Sequence, residues 1–336
     1  MKILAIETSC DETAAAVVER DSDGSFIVHA NVIASQIKLH QKYGGVVPEV
    51  ASRAHIESMQ MVVDEAVEGD FSEISAIAVT TAPGLIGALL VGVNYAKALA
   101  FTLGVPLIPV HHIEGHICAN YIENEMVFPH ICLVVSGGHS NIVLVKAPDE
   151  FESLASTRDD AAGEAFDKVA RVLGLGYPGG PAVENAAKSG DSAAFDFPRV
   201  VMPDSDDFSF SGVKTAVINA IHRANQKGET LNSDDVAASF QQAVCDVLVS
   251  RTIMLAKKHG VKAISIAGGV AANTCIRVSM QDACDVAGFA FHKPSMAYCT
   301  DNAAMIAVRA FYSLDKREFA GNDLNARATL KIGERI

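Results

Sequence analysis

The sequence predicts an α/β protein of two lobes with the same internal order of elements, arranged around a central cleft. Three short apolar runs open the chain, at 3–7, 14–18 and 26–34, and alternating helical and extended segments follow them. The same order begins again near residue 131, although the residue identities differ. Ligands of α/β folds bind in crevices at strand ends, so the expected site is the cleft between the halves.

The chain of 336 residues is long enough for two lobes of roughly 100–200 residues each. We expect an N-terminal lobe over 1–115, a C-terminal lobe over 116–310, and a C-terminal helix and tail over 311–336. The helix that starts near residue 300 is expected to pack back on the first lobe. Helices are predicted at 48–66, from 85, and at 162–173, 213–224, 234–259, 272–286 and 303–314, and strands at 76–80, 106–110, 131–135, 141–145, 151–155 and 263–266.

The composition is typical of a cytoplasmic globular protein. Hydrophobic residues make up 49% of the chain and charged residues 20%, which suffices for a sizeable core. The apolar start of the chain stops at Glu7, which is too early for a secretory signal. The apolar segment 83–103 is interrupted by Lys97 and predicts a buried helix, so no membrane association is expected. The seven cysteines are odd in number and form no CxxC motif, a pattern typical of reduced thiols.

The net charge of −13 makes the chain a poor non-specific binder of nucleic acid. The segment 35–55 runs against this balance, since Glu49 is its single acid. Its basic residues are Lys38, His40, Lys42, Arg53 and His55. The segment is either an ordinary solvated face or a local patch that contacts a polyanion.

Two histidines, His112 and His116, follow the predicted strand at 106–110 with a spacing of one helical turn. That spacing puts both imidazoles on one helix face, where they could bind a metal, but two surface histidines would have the same spacing. Glu114 lies roughly 200° around the helix from His112 and faces away from such a metal. The zinc-protease arrangement, in which the Glu directly follows the first His, is therefore absent. Asp301, before the helix at 303–314, is either a third ligand or a helix cap.

Two glycine-rich turns suit the binding of a nucleotide. Ser136-Gly137-Gly138 lies between two predicted strands, and Gly268-Gly269 lies between a strand and a helix start. Glycines let a ligand approach the backbone closely, and helix N-termini favour phosphate.

Several acids and turns have both a structural and a functional reading. Asp159 and Asp160 fit the N-terminal dipole of the helix at 162–173, whereas Asp167 lies one turn inside it. The rigid segment Tyr177–Pro181 is a structural turn or the wall of a ligand site, and Glu184 follows one turn later. The turn 9–13 is either solvated or faces a phosphate or cation.

Eight motifs, in order and without large gaps from residue 3 to about 310, resemble the bacterial tRNA N6-adenosine threonylcarbamoyltransferase family. Its members were once labelled sialoglycoprotein endopeptidases. The motifs are Ile6–Thr13 (IETSCDET), Tyr43–Glu49 (YGGVVPE), Ala82–Leu85 (APGL), His111–His116 (HHIEGH), Val135–His139 (VSGGH), Asp160–Lys168 (DAAGEAFDK), Phe208–Thr215 (FSFSGVKT) and Cys299–Asn302 (CTDN).

The resemblance implies the actin/Hsp70/sugar-kinase fold, which agrees with the doubled pattern. It implies transfer of the threonylcarbamoyl group from threonylcarbamoyl-AMP to N6 of the adenosine just 3′ of the anticodon, in tRNAs reading codons that begin with A. One divalent metal per subunit, Fe²⁺ with Zn²⁺ as the alternative, is expected on His112, His116 and Asp301. The acyl-adenylate side maps to Val134, Val135, Ser136, Gly137, Gly138, Asp167, Gly180, Glu184 and Asn273.

The resemblance also implies two protein partners: a paralogous subunit that dimerises with this chain, and a small ATPase. Because AMP is a good leaving group, the reaction needs positioning and charge stabilisation rather than a covalent nucleophile. Asp11 or Glu12 is the expected acceptor of the amine proton. Three alternatives stay open: a small-molecule kinase or ATPase of the same fold, a metalloprotease, and a non-catalytic scaffold. The histidine pair argues against the first, Glu114 against the second, and the complete ligand set against the third.

Overall fold

The computed structural model describes residues 1–200, 202 and 204–335, which fall into two compact units. The first unit contains residues 1–126, 146–151 and those from 294 onward, and the second contains 127–145 and 152–293. The first unit thus takes in 116–126 and 294–310, which the sequence had placed in the second lobe. The reason is packing: the helix at Ala303–Asp315 lies against the first two strands and the helix at His112–Cys118.

Ten strands account for the two sheets of the described chain. The sequence predicted all but the last of them, within a few residues at each end. They are β1 (Lys2–Glu7), β2 (Glu12–Arg20), β3 (Phe26–Ser35), β4 (Ile74–Ala82), β5 (Leu107–His111), β6 (His130–Val135), β7 (Ser140–Ala147), β8 (Glu150–Ser156), β9 (Ala263–Ala267) and β10 (Ala290–His292).

The helices also follow the predicted order, with two additions: the short helix Ile37–His40, which the sequence did not predict, and the helix after Pro178. Gly179–Ala187 is a helix, although its Gly-Gly-Pro start had suggested a rigid turn; proline is well tolerated in a first helical turn. The helices are α1 (Ile37–His40), α2 (Pro48–Val67), α3 (Ile86–Leu103), α4 (His112–Cys118), α5 (Ala162–Leu173), α6 (Gly179–Ala187), α7 (Ser211–Lys227), α8 (Ser233–His259), α9 (Thr274–Ala287) and α10 (Ala303–Asp315).

The two sheets share one topology. The first has the order β3-β2-β1-β4-β5 and the second the order β10-β9-β6-β7-β8. In each, the first strand in the chain pairs antiparallel with the next strand and parallel with a later one. Two mixed sheets with packed helices confirm the predicted duplicated α/β fold of the actin/Hsp70/sugar-kinase type. Because β1, β4 and β5 run parallel, their carboxyl ends meet at one edge of the first sheet.

Helix α3 differs from its prediction as a buried helix. It is long and apolar enough to cross a membrane by composition alone, yet only 33% of its 18 residues are buried. Leu89, Val93 and Ala96 pack into the core of the first unit. Ile86 and Phe101 are exposed, so one face of this apolar helix has no cover within the described chain. The sequence pattern could not separate a buried helix from a half-covered one, because apolar residues surround α3 on all sides.

Candidate functional site

The first unit brings together the predicted metal ligands His112, His116 and Asp301. His112 begins α4 immediately after β5, and His116 follows one turn later, with the two ring centroids 4.7 Å apart. Asp301 Oδ1 lies 2.9 Å from His116 Nε2 and 3.5 Å from His112 Nε2. Each residue offers one ligand atom, and these atoms all lie within 4.8 Å of one another.

Asp301 is not the cap of α10. That role belongs to Asn302, whose side-chain oxygen accepts a hydrogen bond from Met305 N at 3.0 Å. The Asp301 carboxylate is thereby left to face the two imidazoles. The alternative reading of Asp301 as the helix cap is therefore wrong, because the cap is the next residue, Asn302.

A buried carboxylate that the sequence reasoning did not select fixes the orientation of His112. Glu7 Oε2 lies 3.0 Å from His112 Nδ1, and Ser9 Oγ lies at the same distance from that nitrogen. Glu7 also accepts hydrogen bonds from Ser9 N at 2.5 Å and from Thr80 Oγ1 at 2.6 Å. When His112 is neutral, an Nδ1–H directed at Glu7 would leave the lone pair of Nε2 on the side of Asp301, available to a metal.

The charges of this cluster compensate each other. Burial lowers the pKa of His112, but the carboxylates of Glu7 and Asp301 outweigh it and raise that pKa to about 9. Burial raises the pKa of Glu7, and the charge of His112 and its hydrogen bond lower it, with a net decrease. A positive charge on His112 is thus favoured in the metal-free protein. Two imidazoles and one carboxylate are also a donor set that suits Fe²⁺ or Zn²⁺, so the residues fit the expected metal.

Glu114 is directed away from the histidine pair. Its Oε2 accepts a hydrogen bond from Arg309 Nε at 2.8 Å, and its Oε1 accepts one from Gly333 N at 3.1 Å. The carboxylate is therefore engaged in holding α10 and the C-terminal segment. It is not a base for a metal-bound water, which argues against protease chemistry.

The predicted proton acceptors Asp11 and Glu12 lie in the turn between β1 and β2. Asp11 is 8% exposed, and Glu12 Oε1 accepts a hydrogen bond from Ser35 Oγ at 3.2 Å. Burial, followed by the charges of Asp301 and Asp11, raises the pKa of Glu12 to about 10. The electrostatic influence of Asp301 places the turn near the metal ligands. The role of Asp11 and Glu12 as proton acceptors stays a prediction.

In the second unit, glycines let three loops approach closely. A Cβ added to Gly163, at the start of α5, would lie 2.6 Å from the carbonyl oxygen of Ser136. Gly268, after β9, has φ +91°, and a Cβ there would lie 2.4 Å from the carbonyl oxygen of Val135. The turn after β6 is thus fixed between α5 and the loop after β9, as only glycine permits.

Four glycines of this region instead face open space. Nothing in the described chain comes within 4 Å of a Cβ built on Gly137, Gly138, Gly180 or Gly269. The side chains of Val134 and Val135 are fully buried in the sheet, so only their backbone is available to a ligand. The expected role of Val134 and Val135 in substrate binding therefore stays a prediction about their backbone, and the open surface is made by the glycines.

The other predicted substrate residues form hydrogen bonds that join the helices of the second unit. Asp167 Oδ1 accepts a hydrogen bond from Gly179 N at 2.7 Å, at the start of α6. Glu184 Oε1 accepts one from Thr274 N at 3.0 Å, at the start of α9. Asn273 Nδ2 donates to Gln241 Oε1 at 2.8 Å, and Asn273 Oδ1 caps α9. These bonds join α5 to α6, α6 to α9 and α9 to α8. Each of the three residues therefore has a structural function, whether or not it also contacts a substrate.

Asp159 and Asp160 form contacts with α7 in addition to their position before α5, which was all that the sequence showed. Asp159 accepts hydrogen bonds from the backbone N–H of Phe210 and from the hydroxyl groups of Ser209 and Ser211, at the start of α7. Asp160 forms ion pairs with Lys168 and Lys214. Both acids therefore join the segment before α5 to α7, a partner that local sequence could not reveal.

The basic segment 35–55 is smaller than it looks in the sequence. His40 and His55 are fully buried, and Arg53 Nη2 lies 2.6 Å from Glu49 Oε1. Lys38 and Lys42 remain as exposed lysines of the segment. Counting charges along the chain cannot distinguish a buried neutral imidazole from a surface cation.

A comparison with protein families matches residues 27–308 to TsaD, described as tRNA N6-adenosine threonylcarbamoyltransferase. Proteins of that name share high identity with this chain. The Clostridium novyi protein is 55% identical over 100% of this chain and 99% of its own length. The Halalkalibacterium halodurans protein is 51% identical over 98% of this chain and 96% of its own.

Solved structures with low sequence identity share the fold. HypF from T. kodakarensis has a TM-score of 0.65 at 14% identity, over 96% of this chain and 49% of that one. The (R)-2-hydroxyglutaryl-CoA dehydratase component A from Acidaminococcus fermentans has a TM-score of 0.53 at 15% identity, over 94% and 99%.

We predict that Glu7→Gln weakens divalent metal binding by about 10–100-fold, because the amide no longer orients His112 as the carboxylate does. Titration of the metal-free protein with Zn²⁺ or Co²⁺ measures this. Glu19→Gln is the matched control, since Glu19 forms a similar carboxylate–imidazole contact with His29 at 2.7 Å on the surface. Equal affinity of folded Glu7→Gln and wild type would contradict the assignment.

We also predict that Gly138→Ala and Gly180→Ala fold normally but bind AMP more weakly. Their Cβ atoms meet open space, so the change in unfolding free energy should stay within about 0.5 kcal/mol. Gly163→Ala is the contrasting variant and should lower the melting temperature, because its Cβ meets Ser136 O. Calorimetric titration with AMP decides the matter, and unchanged affinity in both open-glycine variants would rule out a nucleotide surface there.

Proposed function

The chain belongs to the tRNA N6-adenosine threonylcarbamoyltransferase family and is an enzyme of the acyltransferase type, and from this premise we propose its substrates and its metal. The donor is threonylcarbamoyl-AMP. The acceptor is N6 of the adenosine just 3′ of the anticodon, in tRNAs that read codons beginning with A. The observation that carries the proposal is the ligand set His112, His116 and Asp301, assembled in a chain that matches the family over nearly its whole length.

One divalent cation per subunit, Fe²⁺ in preference to Zn²⁺, would be held by His112, His116 and Asp301. When bound, it would act as a Lewis acid that polarises oxygens of the threonylcarbamoyl group or of the phosphate. Glu7 orients one imidazole for this purpose, through its contact with His112 Nδ1 at 3.0 Å. The preference for Fe²⁺ follows from the two-histidine, one-carboxylate set.

The adenylate part of the donor is proposed to bind on the glycine surface of the second unit. Backbone N–H groups of Gly137 and Gly138 would donate to the phosphate, whereas the N–H of Ser136 already donates to His139 O at 2.8 Å, so Ser136 would contribute through its side chain. The open space over Gly180 and Gly269 would accept the flat base and ribose. The N-terminus of α9, after Asn273, adds a favourable dipole. These groups position the donor and stabilise the charge that develops on the departing AMP.

The transfer itself needs one proton to leave the attacking amine. Asp11 and Glu12 are the proposed acceptors, because they are neighbouring acids just after β1, beside the predicted metal ligand His112 that Ser9 contacts. The raised pKa of Glu12 keeps its carboxyl group protonated near neutral pH, so Asp11 is the favoured acceptor of the two. The C–N bond forms at the carbamoyl carbon as the bond to the phosphate oxygen breaks. The proton passes to a carboxylate, and AMP departs with the electron pair.

Two protein partners and a cytoplasmic location complete the proposal. A paralogous subunit would cover the apolar helices α2 and α3, which pack on each other and leave large side chains exposed. Ile56 on α2 is 66% exposed and Phe101 on α3 is 79% exposed. A small ATPase is the second partner, and tRNA is the macromolecular substrate.

The proposed reaction predicts that label from threonylcarbamoyl-AMP enters unmodified tRNA when the chain, a divalent metal and the partner subunits are present. Asp11→Asn should slow the transfer by roughly the 10²–10⁴-fold expected for loss of a general base. Glu12→Gln should slow it less, because the amide resembles the protonated carboxyl that the raised pKa of Glu12 implies. Asp21→Asn, in an exposed turn, is the control. Normal transfer by both variants would remove the acids from the mechanism, and phosphorylation of a small molecule without label in tRNA would favour a kinase.

The proposed interface predicts that Phe101→Asp weakens the complex with the paralogous subunit, since it places a charge in an apolar contact. Analytical ultracentrifugation of the mixed subunits measures the affinity. Val286→Asp, which changes an apolar residue that is 91% exposed in the second unit, should have no effect. An unchanged complex with Phe101→Asp would place the partner elsewhere.

A further inference from the structure

The turn that carries Asp11 and Glu12 is held from outside by a side chain of another element. The turn leads from β1 into the first two residues of β2, Glu12 and Thr13, and neither acid forms an ion pair with a cation in the described chain. The name Cys10–Thr13 turn covers these strand residues as well. A proton acceptor must nevertheless stay within hydrogen-bond reach of its substrate. The residues that fix the backbone of this turn therefore decide where both carboxyl groups point.

His55, on α2, contacts the turn on both sides of the acids. Its Nε2 lies 3.0 Å from the carbonyl oxygen of Cys10, and its Nδ1 lies 2.8 Å from Thr13 Oγ1. A carbonyl can only accept, so Nε2 carries the proton and donates it. Nδ1 is then the acceptor for the hydroxyl of Thr13. A single neutral tautomer of His55 satisfies both contacts.

A second imidazole extends the same series of hydrogen bonds. His40 Nδ1 accepts from Val47 N at 3.2 Å, so its Nε2 donates to Gln36 Oε1, also at 3.2 Å. Gln36 Nε2 lies 3.4 Å from His55 Nδ1, and the backbone N–H of Gln36 donates to the carbonyl oxygen of Asp11 at 3.0 Å. Buried neutral groups thus connect the loop before α2 to the acid turn.

An imidazole at position 55 is an unusual choice for packing alone. The buried stripe of α2 otherwise consists of apolar residues, among them Ala51, Met59, Val62 and Val63. Burying a polar ring costs free energy unless its nitrogen atoms find partners, whereas a leucine would fill the stripe without that cost. Burial lowers the pKa of His55, although Cys10 O, Glu7 and Asp11 act to raise it, and His40 lowers it further. The ring is thereby kept in the neutral form that the two contacts require.

We propose that His55 is a positioning residue for the transfer reaction: it fixes the Cys10–Thr13 turn, and with it the carboxyl groups of Asp11 and Glu12, through its two hydrogen bonds to that turn. The role of the acids rests on the proposed function, whereas the fixing of the turn is a property of the protein itself. His55 acts through other residues and contacts no substrate.

Three variants separate its two contacts. His55→Gln retains a donor near Cys10 O, His55→Asn retains an acceptor near Thr13 Oγ1, and His55→Leu loses both. Thr13→Val removes one contact without changing α2 and serves if the Leu variant fails to fold. His29→Gln is the matched control, since His29 lies half-exposed on β3 and pairs with Glu19.

Transfer kinetics and hydrogen–deuterium exchange of the full-length chain give two independent readouts. We expect kcat to fall on the order of 10–100-fold in the Leu variant and less in the Gln or Asn variant. KM for threonylcarbamoyl-AMP should be unchanged. Amides of the Cys10–Thr13 turn should exchange faster in the Leu and Thr13→Val variants, while those of β4 do not change.

The outcomes distinguish the two claims. A wild-type chain without transfer activity would contradict the proposed function. Hydrogen–deuterium exchange at the turn in the His55 variants would still test whether His55 fixes the turn. Normal kcat in folded Leu and Thr13→Val variants, or turn exchange equal to that of wild type, would overturn the assignment of His55. A lowered melting temperature with a normal kcat would make His55 a purely structural residue, and this result would also overturn the proposed positioning role.

Discussion

The carboxylate of Glu7 is the constraint on which the site of the first unit depends. It lies at the carboxyl end of the central strand β1, with no exposure to solvent. An ionised carboxylate so deeply buried must be compensated by hydrogen bonds and charge. Its partners come from three segments: Ser9 after β1, Thr80 in β4, and His112 after β5. The parallel arrangement of those strands brings the partners to one edge, and their contacts fix one imidazole toward Asp301.

In the second unit, close backbone contacts at glycines fix the predicted site instead of a buried charge. Its equivalent edge has no buried carboxylate among the predicted site residues. Close backbone contacts at Gly163 and Gly268 fix the turn after β6 instead, and other glycines leave the space above that turn open. Charge and imidazole therefore gather in one half of the duplicated fold, and exposed backbone in the other.

The order of strands and helices could be predicted because apolar runs and turn residues are local signals. The spacing of His112 and His116 was equally local. Asp301 was not, since the chain between it and the histidines is long, and only the family resemblance selected it. Glu7 was missed because an acid that ends an apolar strand reads as the end of the strand. The sequence could not show that Thr80 and His112, from distant segments, join the nearby Ser9 in compensating its charge.

The two incomplete interpretations of charge have one cause. His40 and His55 were counted as part of a basic surface, and Asp159 and Asp160 as helix-dipole partners, because the sequence shows which residues are near in the chain. Burial and hydrogen-bond partners depend on contacts between α2 and the β1–β2 turn, and between α5 and α7. Those contacts form only in the folded chain, and burial there lowers the pKa of His55.

The central claim is that two imidazoles and one carboxylate, oriented by Glu7, hold a single divalent metal ion. X-ray absorption spectroscopy of the chain purified anaerobically and loaded with Fe²⁺ tests this directly. The account predicts one ion per chain with two imidazole ligands, and a spectrum with one imidazole fewer in His116→Ala. A bound ion whose spectrum shows sulfur ligands, or one that is unchanged in His116→Ala, would contradict it.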